Sequence, residues 1–205
     1  MFKTPKIFQK LFPKVIWQIP NNEKIIYLTF DDGPIPNVTP WVLDLLKKHQ
    51  AQATFFCIGD NVLKHQMVYH QILEDNHVIG NHTFNHLNGW NTKSQTYLEN
   101  VEKCENEILN ASKIFRPPYG KITPKQIKIL KQNGYKIIMW NVLSYDFNEN
   151  LDTEKALNKI IKHTCSGSII VFHDSLKAFD NLKILLPQYL AYFSNRGFVF
   201  KGIER

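Results

Sequence analysis

The chain has 205 residues, a formal net charge of +7, and is 43% hydrophobic and 13% aromatic. That suits one domain with a real core, is marginal for two, and excludes a disordered protein. No apolar run reaches membrane-span length, and no long basic run or nucleic-acid motif accompanies the charge. Lys47, Lys48, Lys125, Lys128, Lys131, Lys155, Lys159 and Lys162 fall between apolar positions on predicted helices, the pattern of a solvated outer face.

Residues 1–23 are basic and apolar by turns. They lack the continuous apolar centre and cleavage site of a secretory signal, and Pro13 interrupts any long helix. This segment reads as an arm packed on a domain spanning 24–205. The expected compartment is the cytoplasm, with an extracytoplasmic one as the alternative should a leader precede the sequence. The expected state is a monomer.

From residue 24 short apolar segments alternate with longer amphipathic ones. Strands are expected at 24–30, 53–58, 77–81, 113–116, 135–141, 168–173 and 198–201. Helices are expected at 38–49, 61–75, 93–110, 123–133, 153–164 and 180–194. In the third helix Tyr97, Val101, Cys104 and Ile108 form one apolar stripe at three- and four-residue steps. GYKIIMW and GSIIVF are apolar on both faces, as strands covered by helices must be. Gly134, Gly167 and Gly197 each precede a strand, where helix exits favour glycine. Cys57, Cys104 and Cys165 are read as buried small hydrophobes rather than a disulfide frame.

Such alternation predicts parallel βα units. A doubly wound sheet would fit, but no Gly-rich phosphate loop follows the first strand. The other solution is a barrel, which carries its reactive residues at the C-terminal ends of its strands.

Those ends are polar here. LTFDDGP delivers Asp31 and Asp32, NHTFNH delivers His82 and His86, and FRPPYG delivers Arg116 and Tyr119. WNVLSYDF brings Asp146, and VFHDS brings His173 and Asp174. Histidines four apart share one face of a helical turn and can grip one transition metal; two His and one carboxylate make a common catalytic zinc set. One Asp of the pair can then bind the ion while the other stays free as a base, taking a proton from water that the ion has acidified. A buried Arg116 needs an acid partner, which Asp31 would be. Asp146 could hold and charge His173 as a general acid, and Asp174 could orient the loop backbone. The other histidines have no such company.

TFDDGP, HTFNH, RPPYG, the Asp of SYDF, and VFHDS, in this order from residue 24 to the C-terminus, resemble the five motifs of polysaccharide deacetylases, carbohydrate esterase family 4. The resemblance implies an α/β fold, a distorted (β/α)7 barrel. It implies Asp31 as base, Asp32, His82 and His86 as ligands of a divalent metal (zinc first, cobalt or another ion otherwise), and Arg116 as the residue positioning the base. It also implies that the Tyr119 amide stabilises the oxyanion, that His173 is the acid, and that Asp146 tunes it. Pro118, Phe147 and Val171 are expected against the substrate. Phe147 stands where the family usually has Trp, and Val171 where it often has Leu, so acyl preference is open.

The implied reaction is metal-dependent removal of N-acetyl groups from N-acetylglucosamine in an oligo- or polysaccharide, peptidoglycan or chitin-like. The alternatives are an O-acetyl esterase or non-sugar amide deacylase using the same residues, or a non-catalytic protein whose basic surface binds wall polymer or nucleic acid.

Overall fold

The computed structural model describes residues 2–108 and 113–203. In chain order the elements are α1 (Lys6–Leu11), β1 (Ile25–Asp31), α2 (Thr39–Lys48), β2 (Thr54–Cys57), α3 (Gly59–Lys64), α4 (Gln66–Glu74), β3 (Val78–Asn81) and α5 (Ser94–Glu107). Then come β4 (Ile114–Phe115), a 3₁₀ turn (Pro118–Gly120), α6 (Pro124–Gln132), β5 (Lys136–Ile137), β6 (Val142–Leu143), α7 (Thr153–His163), β7 (Ile169–His173), α8 (Phe179–Ser194) and β8 (Val199–Lys201). The last two positions expected for the helix at 93–110 lie outside the described residues.

The strands pair in the order β5-β4-β3-β2-β1-β7-β6, with β8 against the start of β1, and every one of these pairings is parallel. The two ends of that path are consecutive in sequence. The segment expected as one strand at 135–141 is instead two short ones, β5 and β6, which pair on opposite sides. Ile138 N–H still donates to the Phe115 carbonyl on the β4 side, and Asn141 N–H already donates to Ile169 on the β7 side. One kinked segment thus closes the sheet into the distorted (β/α)7 barrel. The Asn141 side chain covers the kink, accepting from Ile169 N–H and donating to Ser168 Oγ.

Residue parity along β1 decides what faces where. Ile26, Leu28 and Phe30 are fully buried outward against the helices, in one cluster with Leu182, Leu186 and Tyr189 of α8. The alternate residues Tyr27, Thr29 and Asp31 face the barrel interior. Its lower part is filled by Phe56, Ile114, Ile138, Ile169 and Ile203. A packed interior leaves only the strand C-termini open for chemistry.

Two further expectations are corrected. The helix expected at 61–75 divides at His65, whose backbone (φ −129°, ψ 47°) is not helical; α3 and α4 thereby bury different residues, Val62 on the one and Tyr69 with Ile72 on the other. Cys57 and Cys104 are buried, but Cys165 is exposed, because it sits in the turn after α7 and not on an apolar face. The arm runs along the closing segment through isolated bridges, Lys3 to Val142 and Ile16 to Ile138. Among the described residues no helix is long and apolar enough to cross a membrane.

Candidate active site

Asp31 ends β1 level with His173, its register partner on β7, and both face one cavity of about 490 Å³. Arg116, completely buried just past β4, donates from Nη1 to Asp31 Oδ1 at 2.7 Å and to Thr29 Oγ1 at 2.7 Å. Its other nitrogens donate to the carbonyls of Ile138 and Met139, on the closing segment. The guanidinium lies 4.1 Å from the Phe56 ring centroid, with the Trp140 ring also near. Every direction in which the fork could swing is filled, so it presents a fixed positive charge to Asp31. Burial lowers the Arg116 pKa and Asp31 opposes that, but a guanidinium does not lose its proton in a protein.

Asp32, His82 and His86 place one ligand atom each within 4.8 Å of the others. Asp32 Oδ1 is 3.2 Å from His86 Nε2 and 3.7 Å from His82 Nε2. The His82 tautomer follows from its partner. Nδ1 lies 2.7 Å from the Arg116 carbonyl, which can only accept, so Nδ1 carries the proton and Nε2 offers its lone pair to the cluster. Burial lowers His82 to about 4, which keeps it neutral at pH 7. Burial alone would raise the Asp32 carboxyl, but the His86 hydrogen bond and the neighbouring imidazoles hold it well below the usual carboxylate range. A nitrogen, nitrogen, oxygen set with a fixed tautomer suits a divalent transition metal.

The route to this cluster differs from the expectation of a helical turn. Residues 82–86 form a bent loop in which Thr83 (φ 63°) and His86 (φ 55°) take left-handed backbone. Asn81 Oδ1 accepts from Thr83 N–H, and Thr83 Oγ1 from Leu87 N–H, which holds the bend. The two imidazole centroids end 5.1 Å apart.

On the facing wall, His173 Nδ1 is 2.7 Å from Asp146 Oδ1, and His173 N–H donates to Asp146 Oδ2 at 2.8 Å. Asp146 is fully buried, and its carbonyl accepts from Asn181 Nδ2 at the start of α8. Burial disfavours the imidazolium, but Asp146, with the nearby Asp32 and Asp31, outweighs it and lifts His173 to about 9. Phe147 stands edge-on to the His173 ring at 5.0 Å, and with Val171 and Leu143 it supplies apolar wall beside that imidazole. Tyr119 is at the mouth in left-handed backbone (φ 60°), its ring against His86. Pro118 is buried beneath it and is not part of the cavity wall, because the 3₁₀ turn directs Tyr119 outward in its place.

Asp174 holds the loop that carries Asp32. It accepts from Gly33 N–H and Thr39 Oγ1, while Asn61 Nδ2 donates to the Asp32 carbonyl. A Cβ on Gly33 would lie 1.9 Å from Asp174 Oδ2, so only glycine fits there. Burial raises Asp174 to about 8. Sequence reasoning missed Thr29, Trp140, Leu143, Asn181 and Lys177, the last also on the cavity wall. Trp140 and Leu143 could have been found from their place at the end of the fifth strand; Asn181 carries no such signal.

A family model described as polysaccharide deacetylase matches residues 18–138. A peptidoglycan-N-acetylglucosamine deacetylase of Bacillus cereus is 38% identical over 202 residues, covering 93% of this chain and 91% of its own. A chitooligosaccharide deacetylase of Azorhizobium caulinodans is 35% identical, covering 77% of each chain. Among solved structures, a peptidoglycan N-acetylglucosamine deacetylase in complex with 4-naphthalen-1-yl-N-oxidanyl-benzamide superposes with a TM-score of 0.83 at 30% identity, covering 98% of this chain and 95% of that one. With matches of this extent over nearly all its length, the chain belongs to the polysaccharide deacetylases, carbohydrate esterase family 4.

Proposed function

We propose that the chain hydrolyses the N-acetyl group of N-acetylglucosamine in an oligo- or polysaccharide of the peptidoglycan or chitin type. The observation that carries this reading is the placement on one cavity of a carboxylate paired with a cation and an imidazole paired with a carboxylate, Asp31 on Arg116 and His173 on Asp146. Asp32, His82 and His86 would hold a divalent ion, zinc on the chemistry of the donors. When bound, that ion supplies a Lewis acid for the amide oxygen and acidifies water. The N-oxidanyl-benzamide bound by the structural relative belongs to a chelating chemical class, which agrees with such an ion.

Asp31, aimed by Arg116, takes the proton of the attacking water. The Tyr119 backbone N–H receives the oxyanion that develops on the carbonyl. His173 enters as imidazolium and gives its proton to the amide nitrogen, a poor leaving group until protonated. Phe147 and Val171 enclose the acetyl methyl. The proposal includes a single-chain state in solution, read by light scattering, and a cytoplasmic location, read by fractionation.

The test is acetate release across acetylated chito-oligomers, peptidoglycan, acetyl-xylan and simple amides, with metal content measured on the same sample. Release from the amino-sugar substrates, lost on chelation and restored by zinc or cobalt, is expected. Full activity in the chelated protein would refute the metal, and release from acetyl-xylan alone would refute the amide substrate.

A further inference from the structure

The short helix α1 is turned inside out. Its polar Gln9 is half-buried against the protein, whereas Ile7 is 59% and Leu11 63% exposed, with Phe8 and Phe12 beside them. A helix at the surface of a soluble domain presents its apolar stripe to the core, and here none of its residues is buried. The patch continues into a groove of about 230 Å³ between the arm and α6, walled by Leu11, Phe12, Val15 and Ile127.

The segments that form it are basic. Residues 1–22 contain Lys3, Lys6, Lys10 and Lys14 and no acid, and residues 108–145, which carry α6, also lack Asp and Glu. The two segments touch where Lys131 Nζ donates to the Lys14 carbonyl. On the other flank Lys159 of α7 stands 5.0 Å over the Phe2 ring, and Lys3, Lys159 and Lys162 all act on His163.

We infer that this face docks on the surface of an anionic lipid bilayer, with Ile7, Phe8, Leu11 and Phe12 inserted at the interface and the surrounding lysines on lipid phosphates. Apolar tips ringed by lysine suit a headgroup boundary, which offers hydrocarbon and negative charge together. A soluble polyanion would use the lysines and leave the four apolar side chains in water. A second copy of this chain would cover the apolar patch but set lysines against lysines. The arm is also wired to the cavity. Phe2 accepts from Leu143 N–H, and Thr4 Oγ1 donates to the Trp140 carbonyl, and both Leu143 and Trp140 line the cavity. The inference is independent of which acyl substrate is cleaved.

The test is sedimentation of the full chain with vesicles of phosphatidylglycerol mixed into phosphatidylcholine, and with phosphatidylcholine alone. Binding to the anionic vesicles only, weakened by salt as surface charge pairs are, is expected. Phe8→Asp with Leu11→Asp lowers the partition coefficient about tenfold or more, and Lys6→Gln with Lys10→Gln lowers it severalfold. Both variants keep the wild-type melting curve and acetate release from a soluble oligomer, because the altered side chains are exposed and none of them lines the cavity. Failure to bind anionic vesicles overturns the inference. So does unchanged binding in the double aspartate variant, which would point to charge alone and a soluble polyanion. Self-association abolished by the aspartates, without vesicle binding, would assign the patch to a second copy.

Discussion

Two walls of the cavity carry the same construction and, in the proposed mechanism, do opposite work. On one, a carboxylate meets a cation at 2.7 Å as Asp31 and Arg116; on the other, at 2.7 Å as Asp146 and His173. In both pairs one member is fully buried and a further bond fixes the geometry: Arg116 Nη2 donates to the Met139 carbonyl, and the His173 backbone N–H donates to Asp146 Oδ2. The difference lies in which partner faces the reaction and whether the cation can let go of its proton. Arg116 is behind and cannot, so the partner facing the cavity is a carboxylate whose only available act is to accept. His173 is in front and can, so the buried carboxylate behind it serves to keep a transferable proton in place. In the proposed mechanism, base and acid thus follow from the order of the pair from the cavity inward, not from distance or burial.

The most damaging way to break this comparison is on the base side. Asp31→Asn leaves the ligand cluster intact and removes the proton acceptor. Turnover is expected to fall about 10³- to 10⁴-fold with metal content unchanged; a variant that lost its metal would show that Asp31, not Asp32, is the ligand. Because Arg116 would lose its one carboxylate partner among the described residues, this variant is also expected to be less stable, by about 3–5 kcal/mol in a denaturant melt.

The acid side is expected to be more forgiving. His173→Gln lowers turnover about 10²- to 10³-fold on an amide. The loss should shrink on an activated ester, whose leaving group needs no proton. Equal losses on both substrates would take the acid role from His173.

These pairs were largely visible in the sequence because the strand ends are. Ile26, Leu28 and Phe30 alternate with Thr29 and Asp31, so the side of the sheet that Asp31 occupies follows from parity, and the polar ends of the other strands follow the same rule. The rest was hidden for local reasons. GYKIIMWNV stays apolar across the kink, so nothing marks where the segment leaves β4 for β7. The bend that joins His82 to His86 uses left-handed backbone at Thr83 and His86, residues that do not announce it as glycine would. Asn181 reaches Asp146 from another element, through a contact no spacing encodes. The outward face of α1 ran against the rule that apolar residues turn inward, so its composition suggested only a packed arm.

A finer break leaves His173 in place and alters what holds it. Asp146 raises this imidazole to about 9 against the opposing effect of burial. In Asp146→Asn the burial remains and the main raising charge is gone. Catalysis that needs imidazolium is lost as pH rises through the His173 pKa, so the alkaline limb of the kcat profile should move to lower pH by about one unit or more. An unmoved limb would mean that another group is the acid.

The smallest effect is one of stability, and it isolates the His173 pair in metal-free protein. A group whose pKa is raised in the folded state stabilises it fully below its unfolded value, here 6.5, and that contribution is lost as pH rises through its folded value, about 9. Asp174, raised to about 8, acts with the same sign and is still half-protonated at pH 8. Cys57 and Cys104 add to the same fall, because burial raises them in the folded state while their unfolded thiols ionise near pH 9. These groups are common to both proteins, so the difference in slope between the wild type and Asp146→Asn reports His173. Unfolding free energy should fall between pH 8 and 9 in both proteins, by about 1 kcal/mol more in the wild type. In Asp146→Asn the fall should be shallower by that amount, at a lower level overall. Parallel slopes in the two proteins would show that the fold does not hold a proton on His173, and the contrast between the two walls would lose its physical basis.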